Sequence, residues 1–285
     1  MFYVSENTMS NKYISILILS ITLLHAAPDS LAEIMFNTEG DTWGGLRYPS
    51  SPEELEQDNL ILEGAINQNF AVIPLSPSTR INFFLKLGYT FDEERIDYNN
   101  KLSLSPGFKL THTFSNHGNI SIGAMYQYEK RRVTDTDESG DVYFIDWWTS
   151  WSLECISCAE QDQNGPLGYP GSTWGNLRYP SALSEEEKDD LILEGAAEQG
   201  IDWSRTKLGT FNTFLDVAYK TDNKDIDWNN SVKLGIGLKL TKQIANNVSL
   251  SYGIKHVSER RWINEDIWNH DMTVFMSWWS GWSGL

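Results

Sequence analysis

The sequence predicts an all-β fold: an antiparallel transmembrane β-barrel of about twelve strands, with ten as the alternative, assembled from two tandem repeats. Three features of the 285 residues lead there: long stretches of strict two-residue alternation, an internal repeat, and connections that alternate between short and long.

Alternation is clearest over 228–241, where Trp228, Val232, Leu234, Ile236, Leu238 and Leu240 share one face and Lys233, Lys239 and Thr241 the other. A period of two held this long is a strand. It exceeds the roughly five or six residues usual in soluble sheets and matches the roughly nine to eleven of a tilted membrane-crossing strand. Residues 98–111 repeat the pattern with Leu102, Leu104, Phe108 and Leu110 against Lys101, Lys109 and Thr111.

The repeat is explicit. Thr42-Trp43-Gly44-Gly45-Leu46-Arg47-Tyr48-Pro49 returns 131 residues later as Thr173-Trp174-Gly175-Asn176-Leu177-Arg178-Tyr179-Pro180. Leu60-Ile61-Leu62-Glu63-Gly64-Ala65 returns at 191–196, Ile96-Asp97-Tyr98-Asn99-Asn100 at 226–230 with Trp228 for Tyr98, and Trp147, Trp148 and Trp151 as Trp278, Trp279 and Trp282.

Taken in order, Lys12, the apolar run 13–24 and the small residues Ala26, Ala27, Ser30 and Ala32 make 1–32 a secretory signal peptide. Repeat 1 (33–153) and repeat 2 (173–285) are the two half-barrels, joined by a Gly/Pro-rich linker, 154–172. Five alternating strands are predicted in repeat 1 at 60–72, 80–91, 98–114, 119–129 and 142–153, and five in repeat 2 at 191–203, 207–220, 228–241, 247–257 and 272–282. Short connections belong to the periplasmic end, long acidic ones such as 92–97 and 131–141 to the outside. An exported N-terminus must climb outward before the first of these strands descends. The repeated TWGxLRYP segment is then a sixth strand in each copy, or, in the ten-strand alternative, a loop or plug.

The apolar faces carry Ile81, Phe83, Leu85 and Leu87, then Ile120, Ile122 and Ala124, then Phe211, Leu215 and Val217. Tyr89, Phe91, Tyr126, Tyr128 and Tyr219 fall at the long-loop ends, and Trp147, Trp151, Trp278 and Trp282 at the other, giving two aromatic girdles. On these features the chain resembles Gram-negative outer-membrane β-barrels as a class, over its whole mature length. The resemblance implies outer-membrane localisation and contact with lipid and lipopolysaccharide, and it carries no functional residues. A tandem soluble β-module, periplasmic or secreted and Trp-rich, is the competing arrangement.

The polar faces place Glu63, Lys86, Lys109, Glu129, Glu194, Asp216, Lys233, Lys239 and Lys255 in the lumen, either as a polar conduit or as a lattice of ion pairs filling the bore. Parity turns Phe144, Trp148, Phe275 and Trp279 inward, where aromatic faces suit sugar stacking or form a hydrophobic floor. Lys130, Arg132 and Arg260 emerge on the lipid side above the aromatic girdle, placed for lipopolysaccharide phosphates. Asp135, Asp137, Ser139 and Asp141 follow much of a calcium-loop pattern without its flanking helices, and calcium is the one cofactor the sequence suggests. Cys155 and Cys158 are spaced for a small linker disulfide.

No enzyme is expected: His112 and Ser115 fall on opposite faces of one strand, and no other catalytic constellation stands out. The net charge of −17 argues against nucleic acid as a partner. Three functions remain open: a narrow outer-membrane channel for small polar or sugar solutes, a non-conducting structural or receptor barrel at the surface, and a soluble carbohydrate-binding module.

Overall fold

The computed structural model describes residues 38–48, 58–115, 118–154, 167–180, 183, 189–263 and 267–283. The signal segment 1–32 and the linker cysteines Cys155 and Cys158 lie outside them. Twelve antiparallel strands close into one barrel: β1 (Glu39–Tyr48), β2 (Ile61–Ser76), β3 (Thr79–Asp92), β4 (Lys101–Ser115), β5 (Gly118–Arg131), β6 (Asp137–Glu154), β7 (Gly168–Tyr179), β8 (Ile192–Thr206), β9 (Gly209–Asp222), β10 (Ser231–Ala245), β11 (Val248–Arg261) and β12 (Trp268–Ser283). Each strand pairs with its neighbours in the chain, and β12 returns to β1. The TWGxLRYP segments supply most of β1 and β7, so twelve strands form rather than ten. Closure leaves no edge, and every wall strand finds its hydrogen-bond partners within the protein, as lipid demands. Both repeats build the same sheet, which rules out tandem soluble modules.

Two-residue turns at 77–78, 207–208 and 246–247 mark one end, and the longer connections 93–100, 132–136 and 223–230 the other. By the usual rule the first end is periplasmic.

Two features depart from the predicted pattern. Alternation places Tyr98 and Trp228 inside strands, yet Asp97–Asn99 and Asp227–Asn229 are single 3₁₀ turns, with β4 and β10 starting just after them. The cause is local. The Asp92 carboxylate accepts from Asn100 Nδ2 (2.5 Å) and the Ile96 N–H (3.2 Å), and Asp222 does the same for Asn230 (2.8 Å) and Ile226 (3.3 Å). The repeated Ile-Asp-aromatic-Asn-Asn motif is therefore a turn lock. Secondly, β6 begins at Asp137, so most of the acidic run predicted as loop is extended strand.

The two junctions between repeats are built alike. Trp278 of β12 lies over Gly44 of β1, and Trp147 of β6 over Gly175 of β7, each indole filling the space a Cβ would take. Nearer the periplasmic end Trp282 covers Gly40 and Trp151 covers Gly171. Trp282 Nε1–H donates to Gln68 Oε1 of β2 and Trp151 Nε1–H to Gln199 Oε1 of β8, both at 3.0 Å, so each indole ties three strands together. The predicted tryptophan girdle thus doubles as the fastening of the seams. Around it the outer wall exposes Phe83, Leu87, Leu104, Phe108, Ile122, Leu215, Ile236 and Val274, the surface a bilayer covers.

Candidate functional site

Alternation turns the other face of each strand into the lumen, and there the predicted charges mostly meet. Arg47 pairs with Glu63, and Arg178 with Glu194 at 2.9 Å. Lys101 reaches Glu129 at 3.3 Å, and Lys233 reaches Glu259 at 2.8 Å. Glu259 and Glu129 are buried, so these ion pairs satisfy carboxylates withdrawn from water. Lys239 pairs with Glu198 at 2.5 Å and Lys255 with Asp216 at 2.6 Å.

Lys86 and Lys109 differ. Neither makes an ion pair among the described residues; Lys109 sits over the Phe84 ring at 5.6 Å, and Lys86 lies in the field of Arg178, Asp146, Glu194 and Lys109. The register explains this. Asn67, Lys86, Lys109 and Met125 of repeat 1 occupy the places of Glu198, Asp216, Lys239 and Lys255, so the acids that receive the lysines in repeat 2 are missing.

The inward aromatics divide into two sets. Phe144 packs edge-on against Phe84 (6.0 Å between centroids) and Phe275 against Phe214 (5.9 Å), with Lys239 over Phe214 at 4.8 Å. Phe144 is buried in this contact, which leaves its faces no room for a solute. Trp148 and Trp279 are open, and each gains a partner that alternation did not reveal. Trp174 stands directly across from Trp148 on the β6–β7 seam, and Trp43 across from Trp279 on the β1–β12 seam. All four keep 43–48% of their surface exposed. The two seams are separated by six strands either way round, so the tryptophan pairs face each other across the bore. Trp43 and Trp174 escaped the sequence reading because the glycines beside them blur the alternation; their shared parity with Arg47 and Arg178 was the available signal.

On the outer wall, Lys130 is taken by Asp135 (2.8 Å) and Asp137 (3.6 Å), and the Arg132 guanidinium lies 5.0 Å from the Phe91 ring centre. Because Glu129 and Glu259 are equivalent, Arg260 is the counterpart of Lys130, and it stands across from Trp268. The calcium pattern is not a loop. Asp137, Ser139 and Asp141 alternate along one face of β6, and Asp137 and Ser139 accept from the hydroxyls of Tyr128 (2.7 Å) and Tyr126 (2.8 Å). Three side chains spread along an extended strand do not converge on one ion.

The extracellular turn of repeat 1 is fastened by charge. Burial alone would raise the Asp97 carboxyl, but the backbone N–H and hydroxyl of Thr134, together with Arg131, outweigh it and hold the group below the ordinary carboxylate range. Asp135 is held low as well, by its hydrogen bond and charge contact with Lys130.

A closed barrel with an apolar outer wall, an aromatic seam girdle and a charged bore has the architecture of an outer-membrane β-barrel. The solved structures it resembles belong to the same class, at the level of fold alone. One is an outer-membrane channel from Pseudomonas putida F1, with 9% identity over 87% of this chain and 96% of that one and a TM-score of 0.41. Another is the β-domain of the Bordetella autotransporter BrkA (9% identity, 86% and 99% covered, TM-score 0.40), and a third is the NanC porin (10%, 85% and 98%, TM-score 0.37). No protein-family model and no curated protein matches the chain.

Proposed function

We propose that the barrel is a narrow channel for small polar solutes, sugars foremost. The observation behind this reading is the frame of four half-exposed tryptophans, two on each side of the bore, set among charged and amide side chains. Indole faces bind the apolar faces of sugar rings while neighbouring polar groups take the hydroxyls. Filling the bore with ion pairs would not require large apolar faces to stay open to solvent.

Purified protein in a planar bilayer is expected to open discrete conductance steps that an added oligosaccharide blocks. Replacing Trp43, Trp148, Trp174 and Trp279 by Ala should weaken that block by tenfold or more. An unchanged block would remove the tryptophans from the site. A complete lack of conductance in inserted, heat-modifiable protein would favour the second reading, a non-conducting barrel, which is supported by the paired lysines and interlocked phenylalanines of repeat 2.

A further inference from the structure

The outer wall of repeat 2 holds a group of side chains that the channel does not use. His256 and Ser258 are outward neighbours on β11, and His270 lies directly across from Ser258 on β12. Ser258 Oγ is 2.8 Å from His270 Nδ1 and 3.4 Å from His256 Nε2. The two imidazoles stack at 5.6 Å between centroids and 11° between planes. With the His270 proton on Nε2, Ser258 donates its one proton to His270 Nδ1, and it receives from His256 when that ring carries its proton on Nε2. This is the hydrogen bond between a nucleophile and its base.

Two observations separate the group from ordinary wall polarity. In repeat 1 the same places hold Tyr126, Tyr128 and Ser139, a hydroxyl contact with no base in it. In a chain that otherwise repeats its seams and turn locks, repeat 2 carries His256 and Ser258 where repeat 1 has tyrosines, and His270 where repeat 1 has a serine. The surroundings are also specific. Exposed Ile254, Met272 and Val274 lie on the membrane side, and exposed Trp268, Ile267, Trp262 and Ile263 on the extracellular side. The group therefore sits in the wall where hydrocarbon gives way to headgroups, the level at which membrane lipids carry their acyl ester bonds.

From this geometry we propose that Ser258, His270 and His256 form an esterase site on the outer wall, acting on acyl esters of outer-leaflet lipids and independent of the lumen. Ser258 Oγ attacks the ester carbonyl carbon as its proton passes to His270 Nδ1, and the carbonyl π pair moves to oxygen. Collapse of the tetrahedral adduct breaks the ester C–O bond, and the alcohol leaves with the proton from His270. Water then attacks the acyl-serine, giving one proton to His270 and releasing the fatty acid; that proton returns to Ser258. His256 is a positioning residue, stacked so as to fix the His270 ring.

The test uses the full protein folded in phosphatidylethanolamine vesicles and, separately, in vesicles carrying lipopolysaccharide, with a fluorophosphonate as serine probe. Expected are labelling at Ser258 and release of free fatty acid in at least one arm, the arms telling which lipid is the source. S258A should abolish both, H270A should lower release by roughly 10²-fold or more, in the range for a general base, and S139A should change neither. Heat-modifiability on gels confirms that each variant is folded. Absence of labelling in folded protein, labelling at Ser258 without fatty acid release in either arm, or release that survives S258A would each overturn the proposal.

Discussion

The two repeats agree where the barrel must close and differ where it could act. The seams carry the same indole-over-glycine contacts, and the turn locks use the same Asp and Asn. The lumen walls diverge: Lys239–Glu198 and Lys255–Asp216 are direct pairs in repeat 2, whereas Lys86 and Lys109 of repeat 1 face Asp41 and Asp146 only at longer range. A duplicated chain thus serves as its own control. What both halves retain is architecture, and what one half has changed is where selectivity and chemistry should be sought.

The largest effect is expected at the shared architecture. Gly44→Val or Gly175→Val puts a branched side chain where an indole lies, and displacing a packed Trp should cost on the order of 3–5 kcal/mol. Both variants should lose most of the heat-modifiable folded band, and to the same degree. A large loss from one and none from the other would break the equivalence of the seams.

Next comes the divergent lumen. Lys86→Gln or Lys109→Gln should shift reversal potentials towards cations, because each removes a charge that has no ion-pair partner among the described residues. The exchange Lys255→Asp with Asp216→Lys keeps a repeat 2 pair and should leave selectivity nearly unaltered. If the exchange shifts selectivity as much as Lys86→Gln does, the paired and unpaired walls do not differ in the way described.

The smallest effect concerns acid. Asp97 and Asp135 have folded-state pKa values below the ordinary value of about 3.9. Their fastening is therefore complete above that value and is lost as pH falls through the lower folded-state values. Limited proteolysis should leave the 132–136 turn intact at neutral pH and cut it increasingly below about pH 4. Equal cutting at pH 7 and pH 3 would show that these carboxylates do not hold the turn.

Much of this was legible in the sequence, because alternation and repetition are direct signatures of a wall with two faces. Ten of the twelve strands and the inward lysines follow from parity; β1 and β7 needed the further argument that an exported N-terminus must first climb outward. The turn locks did not, since Trp228 and Tyr98 keep the apolar rhythm while the Asp and Asn hydrogen bonds bend the chain away from it. Nor did Trp43, Trp174 or the Ser258–His270 contact, because each acquires its meaning from a partner on another strand. Register creates those pairs, and a single strand read alone cannot show it. The same limit applied to the acidic run at 135–141, where spacing suggested a loop and pairing with β5 makes 137–141 strand.

One property of the seams reaches beyond a single chain. Trp148 meets Trp174 in the same register as Trp279 meets Trp43, so the joint inside the polypeptide and the joint between its two ends are interchangeable surfaces. The ten pairs of the β12–β1 joint all recur between β6 and β7, which adds only Leu153 with Tyr169 and Glu154 with Gly168. It follows that two separately expressed halves should find each other in detergent, and that new ends opened within 155–166 should leave a working barrel once the old ends are joined by a linker.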